Sequence, residues 1–239
     1  MGREGRRSRT IDRYGRLMRH IAIYALLFLD VSPAYALDFV FEKDHCAAGE
    51  YRPKQPKSGG TSGLLDSTAW AETGFCVKIP IVKLQAAASD LGVMTWAGIT
   101  RIAGSRKLPT TRPNDLFRVK VTYEARHKHL WCQSALWPME WSARVIDGTK
   151  GSPERIHVDT ERVPGGDGNG AYIKQMSALI ELLRHSDDET SLHMRYEVRA
   201  PSQKPSWAVG AITEYADRLK KVALGGNAPG AAADPACPY

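Results

Sequence analysis

The chain has no apolar run long enough to cross a bilayer. Its most apolar stretch, residues 21–31 (IAIYALLFLDV), falls well short of the about 20 apolar residues that a spanning helix needs. Beyond residue 36 it also lacks a long block of Lys or Arg, and nowhere does it carry a Gly-x-Ser-x-Gly elbow, a metal-type cysteine spacing or an internal repeat. These absences exclude, in turn, an integral membrane span, phosphate-backbone binding through clustered cations, an elbow-type serine nucleophile, a cysteine zinc site and a solenoid. Charge adds little to the second point. Residues 1–36 hold seven Arg against three acids, +4 of the formal +7, which leaves +3 for the rest. The short cluster Arg126-His127-Lys128-His129 reads as a solvated hairpin turn.

What the first 36 residues do have is the order of a secretory leader. Arg16 and Arg19 precede the apolar run, and Ser32-Pro33-Ala34-Tyr35-Ala36 follows it with small residues at the A-x-A positions. This pattern predicts cleavage after Ala36, with Asp30 as the one untypical residue. A start at Met18 would give a leader of ordinary length, and Arg6-Arg7 stands too far from the apolar run for a twin-arginine signal. The mature chain begins at Leu37 and is periplasmic or secreted on this reading. Its four cysteines, Cys46, Cys76, Cys132 and Cys237, are then expected to form two disulfides. The three possible pairings stay open, but at least one bridge should tie a terminal segment to the domain.

Four segments follow: a leader at 1–36, an irregular N-terminal segment at 37–66, one folded domain at 67–224 and a flexible tail at 225–239. Residues 51–63 (YRPKQPKSGGTSG) and 225–239 (GGNAPGAAADPACPY) have the Pro, Gly and small-residue content of irregular chain.

Strict alternation marks the domain's strands. Phe117, Val119, Val121, Tyr123 and Ala125 share one face opposite Arg118, Lys120, Thr122 and Glu124. Leu192, Met194, Tyr196, Val198 and Ala200 oppose His193, Arg195, Glu197 and Arg199, and Ile156, Val158 and Thr160 alternate with His157, Asp159 and Glu161. Phe75–Ile81 reads as a first strand, followed by short helices at 82–91 and 94–99 and a strand at 99–108. Residues 131–146 contain a further strand interrupted at Pro138, which cannot donate to a ladder. Residues 171–184 fit two periods. Ile173, Met176, Leu179, Ile180 and Leu183 fall at helical spacing, whereas a strand would align Tyr172, Met176, Ala178, Ile180 and Leu182. Residues 205–223 form an amphipathic helix with Ala208, Ala211, Ile212, Tyr215, Leu219 and Val222 on its apolar stripe, Pro205 in its first turn and Gly225-Gly226 ending it.

Strand, two short helices, antiparallel strands and a long C-terminal helix, in that order, resemble the START/SRPBCC superfamily of Bet v 1-like and polyketide cyclase-like proteins. The similarity runs over residues 75–224. It is most marked where the polar turn His185-Ser186-Asp187-Asp188-Glu189-Thr190, an alternating strand and Arg199-Ala200-Pro201 lead into Pro205-Ser206-Trp207 and the helix. The resemblance implies an α+β helix-grip fold, a curved antiparallel sheet wrapped around the C-terminal helix, and it makes 171–184 a strand.

It also implies an apolar cavity between sheet and helix. Its walls would be Phe117, Val119, Val121, Tyr123, Trp141, Ile156, Val158, Met176, Ala178, Ile180, Met194, Tyr196, Trp207, Ala208, Ala211, Ile212 and Tyr215. Small residues such as Ala125, Ala178, Ala208 and Ala211 leave room, and aromatic residues supply walls with polar tips. The expected role is a non-enzymatic carrier of a lipid or other apolar small molecule, without cofactor, metal or nucleic acid. An envelope interaction protein with a filled core is the alternative. A cavity enzyme is a third, for which Glu140, Arg184 and His185 are the titratable groups to inspect. The inward faces read as almost wholly apolar, which favours binding over chemistry.

Two constellations lead nowhere. His127 and His129 would share a strand face without a third ligand, and His157 and His193 read as surface residues. Gly165-Gly166-Asp167-Gly168-Asn169-Gly170 lacks both acidic ends of a calcium loop, Gly165 and Met176 standing in those places, and so reads as a turn.

Overall fold

Alternating burial along each strand shows how the sheet is faced. In the computed structural model, residues 43–63, 66–95, 100–126, 134–166 and 173–228 are described. They belong to one compact unit of the chain, Val40–Tyr239; the other, Met1–Phe39, holds the whole expected leader and lies outside the described residues. The elements are β1 (Lys57–Thr61), β2 (Ser67–Val77), α1 (Ile81–Ala88), β3 (Thr100–Lys107), β4 (Asp115–Arg126), β5 (Ser134–Gly148), β6 (Pro153–Arg162), β7 (Gln175–Arg184), β8 (Thr190–Ala200) and α2 (Pro205–Ala223).

The strands form one eight-stranded antiparallel sheet in the order β1-β2-β8-β7-β6-β5-β4-β3. The first strands of the domain therefore pair with the last one, and everything between is a meander of neighbours. The helix α2 packs on β1, β2 and β8, and its Tyr215 also stacks on Trp141 of β5, with ring centroids 5.8 Å apart and planes 13° apart. β2 and β5 are separated by β8, β7 and β6, which is about 19 Å across a flat sheet at about 4.8 Å per strand. A helix is only about 10 Å wide. One helix can touch both strands only if the sheet curls around it. The α+β helix-grip architecture expected from the sequence is thus present.

Most expected elements fall where alternation put them, and α2 has the expected bounds with Pro at its first position. Four differences have plain causes. Residues 57–61 form a strand within a stretch read as irregular, because β1 pairs its backbone with β2 from Lys57↔Glu72 to Thr61↔Thr68. β2 starts at Ser67, eight residues before the strand expected at Phe75.

β5 runs unbroken through Pro138. The Pro138 carbonyl accepts from the Val163 N–H at 3.2 Å, and the side of the residue that lacks an N–H faces the same way, just past the last β5–β6 pair, Met139↔Arg162. Only the reciprocal bond to the Val163 carbonyl, at the end of the ladder, is missing. Of the two short helices, α1 is formed; residues 91–94 make a turn, and 96–99 lie outside the described residues. No helix among the described residues is long and apolar enough to cross a membrane.

Candidate ligand site on the concave face

The register of the sheet assembles the concave face row by row. One row runs Ala71, Tyr196, Ala178, Thr160, Trp141 and Val119 from β2 to β4, and the next runs Thr73, Met194, Ile180, Val158, Ala143 and Phe117. Of the wall residues expected from sequence, Val119, Val121, Tyr123, Trp141, Ile156, Val158, Met176, Ala178, Ile180, Met194 and Tyr196 on the sheet, with Ala208, Ala211, Ile212 and Tyr215 on α2, are all buried in one apolar cluster, and Phe117 packs against it half-buried. Trp207 does not join them. It is 56% exposed on the first turn of α2, because the buried stripe of that helix begins one residue later, at Ala208.

Aromatic side chains make the spine of the face. Trp137 stacks on Tyr123 at 5.9 Å, the Trp141 indole N–H donates to the Tyr123 hydroxyl at 2.9 Å, and that hydroxyl donates to the Met94 carbonyl. Burial pushes the Tyr215 hydroxyl far above its ordinary value, so it is a neutral phenol at any ordinary pH.

The face is less apolar than the sequence suggested. Thr73 and Thr160 point inward with buried hydroxyls, and the Trp137 indole N–H on β5 is buried as well; among the described residues none of these atoms has a hydrogen-bond partner. Arg162, two residues beyond Thr160 on the same strand, continues the inward face, as its pairing with fully buried Met139 shows. Extending the Ile156, Val158, Thr160 alternation by one step finds Arg162. Trp137 and Met139 went unnoticed because a strand interrupted at Pro138, which lies between them, does not carry the face of Trp141 across the break.

The convex face is ionic. Arg118 pairs with Glu140, Arg184 with Glu154 and Asp187, Arg195 with Glu72, and Arg199 with Asp66, and the Arg199 guanidinium holds the Asp66 carboxyl down at about 2. Glu140 and Arg184 are thus committed outside the concave face, and His185 contacts Asp44 at 2.8 Å in the β7–β8 turn. His157 and His193, read as surface residues, are more enclosed than that. His157 is buried and meets Glu181 at 2.7 Å, and His193 lies between Glu72 and His45.

Residues 43–50 cover this part of the convex face. The Cys46–Cys76 disulfide fixes them to β2, so one terminal segment is tied to the domain as expected; Cys132 and Cys237, like His127, His129 and residues 167–170, lie outside the described residues. Among the described residues no group of three or more His, Cys, Asp or Glu is arranged to hold a metal ion. An open groove of about 460 Å³ beside Gly210, Thr213, Glu214, Asp217, Arg218 and Lys221 runs along α2.

No family model matches the chain, and no curated relative was found. Solved structures of similar fold are START and Bet v 1-like proteins. A START superfamily protein from Mycobacterium smegmatis is 16% identical, with 65% of this chain and 93% of that chain covered at a TM-score of 0.39. The Zhui aromatase/cyclase from Streptomyces sp. R1128 is 11% identical, with 66% and 88% covered at 0.37. The lipid transfer and protein localization domain of human StarD13 is 10% identical, with 71% and 91% covered at 0.40.

Proposed function

We propose that this chain is an exported binding protein that holds an apolar small molecule or lipid between the concave sheet face and α2. The observation that carries the reading is the set of buried, unpartnered polar atoms on that face: the Thr73 and Thr160 hydroxyls and the Trp137 N–H. A core packed for stability alone pairs such groups or replaces them with apolar ones, because an unpaired buried donor costs about 1–3 kcal/mol. A face that receives a ligand keeps a few polar groups for orientation among apolar and aromatic walls, and here those walls are Tyr123, Trp137, Trp141 and Tyr215. Ala71 and Ala178 on the concave face and Ala208 and Ala211 on the buried stripe of α2 contribute little volume of their own.

Export is supported by the leader-like order of residues 1–36 and by the Cys46–Cys76 disulfide, which persists in an oxidising compartment. The second cysteine pair, a flexible tail after residue 224 and a second short helix near residue 96 belong to the same proposal.

Native mass spectrometry of the protein started at Leu37 and recovered from an oxidising periplasm tests it. A reproducible extra mass that extracts into organic solvent as an apolar molecule is the expected result. A clean apo mass that stays unchanged after incubation with a lipid mixture would refute the carrier reading and leave a filled-core envelope protein.

A further inference from the structure

Arg162 and two positions next to it on the concave face, Thr160 along β6 and Trp137 diagonally across the ladder, carry donors without acceptors among the described residues. Among the described residues, the Arg162 Nε–H and the Thr160 hydroxyl are buried without partners on the same side of β6, and the Trp137 Nε1–H is buried without a partner on β5. Arg162 faces Met139 across the ladder, so Trp137, two residues from Met139 on the same side, is its diagonal neighbour, within reach of a long side chain at about 7–8 Å between backbones. Trp137 is 3% and Thr160 2% exposed.

Arg162 differs from five arginines of the convex face. Arg118, Arg155, Arg184, Arg195 and Arg199 each have a carboxylate within 4 Å. Among the described residues Arg162 has only the Gly165 carbonyl, at 3.4 Å from Nη2, and burial draws its guanidinium below the usual value. A cation drawn partly out of water without a counter-charge is costly unless something anionic meets it. An arginine N–H and an indole N–H can only donate, and a threonine hydroxyl can donate as well. The complement of such a set is an acceptor group with several lone pairs.

We infer that Arg162, Thr160 and Trp137 form the head-group subsite of the concave face, and that its ligand is an amphipathic anion, an apolar body bearing a carboxylate or phosphate-like head. This rests on the concave face being the ligand site. The body would lie along Tyr123, Trp141 and Tyr215, and the head would meet the guanidinium where β6 ends.

Isothermal titration calorimetry with decanoate, methyl decanoate and acetate tests the inference. Decanoate should bind at least about tenfold tighter than its uncharged ester, the scale of one hydrogen bond to a charged group, and acetate should not bind measurably. Arg162→Gln should bring decanoate to the ester's affinity and leave the ester's unchanged. Arg162→Lys, which keeps the charge but loses the Nε donor, should fall between. Equal binding of decanoate and ester by the parent protein, or an equal weakening of both by Arg162→Gln, would overturn the head-group subsite while the apolar site stands. Binding of neither by a folded parent protein would remove the site itself.

Discussion

Gly74 sits in the middle of β2 because another side chain occupies the place of its own. A Cβ there would overlap the His45 imidazole, which is held from its other side by Glu50 at 2.7 Å from Nδ1. Glycine inside a strand often marks such a close approach. Gly74→Ala is therefore expected to destabilise by about 1–3 kcal/mol, the usual cost of overpacking, in urea unfolding at neutral pH. In a His45→Ala background the same substitution should cost much less, and additive losses would show that the clash is not the cause. Thr160 presents the opposite case. Its hydroxyl is buried and unpaired, so Thr160→Val removes a group with nothing to lose. Apo stability should stay level or rise by up to about 1 kcal/mol, while the affinity for decanoate falls. A clear destabilisation would mean that the hydroxyl has a partner inside the apo protein.

At the scale of elements, segment 43–50 is attached to the sheet by one covalent bond and a small polar network. The disulfide closes a loop of 30 residues, worth about 3–4 kcal/mol by chain-entropy arguments; Cys46→Ser should cost about that much in chemical unfolding. The network is pH-sensitive. Glu50 takes the Nδ1 side of His45 and Glu72 the Nε2 side of His193, which leaves His45 Nε2 and His193 Nδ1 facing each other at 3.3 Å. One proton between them makes a hydrogen bond, and a second makes two cations collide. Burial lowers the His193 value below its ordinary 6.5, with Glu72 and Glu181 opposing and His45 reinforcing that direction. The folded state then binds fewer protons than the unfolded chain below about pH 6.5, so stability is present above that pH and is lost as the pH falls towards the lowered value. Unfolding midpoints should drop between pH 7 and pH 5, and His193→Gln should flatten the slope; an unchanged slope would place the titration elsewhere. Nothing in the sequence signalled this layer, since a histidine on the wet side of an alternating strand reads as solvated until a distant segment folds over it. Strand β7 shows the converse. Local propensity fits a helix over residues 171–184, but β6 and β8 on either side satisfy its backbone, and pairing overrides propensity.

For the whole molecule, the fold was more legible than the site. Strict alternation in β4, β6 and β8 and the apolar stripe of α2 each carry their own burial signal, so the architecture could be read from one dimension. The head-group cluster could not, because Arg162 and Trp137 meet only through the β5–β6 register and Pro138 disguised the start of β5. Whether sheet and helix enclose ligand space is likewise a property of the assembled curve, and Ala178 offers a direct measure of it. It faces Tyr196 and Thr160 in register, near the centre of the sheet. If the gap is built for a ligand, the ring of Ala178→Phe enters that space, and the apo protein loses less than about 1 kcal/mol, below the usual overpacking range. Methyl decanoate binding should then vanish, and with it the rise in melting temperature that a ligand of the native state confers. If the interior is already close-packed, the added ring must displace its neighbours and stability falls by about 1–3 kcal/mol or more. Denaturation of the parent and the variant, each with and without methyl decanoate, separates the two outcomes, because a ligand space makes the substitution costly for binding and a packed core makes it costly for folding.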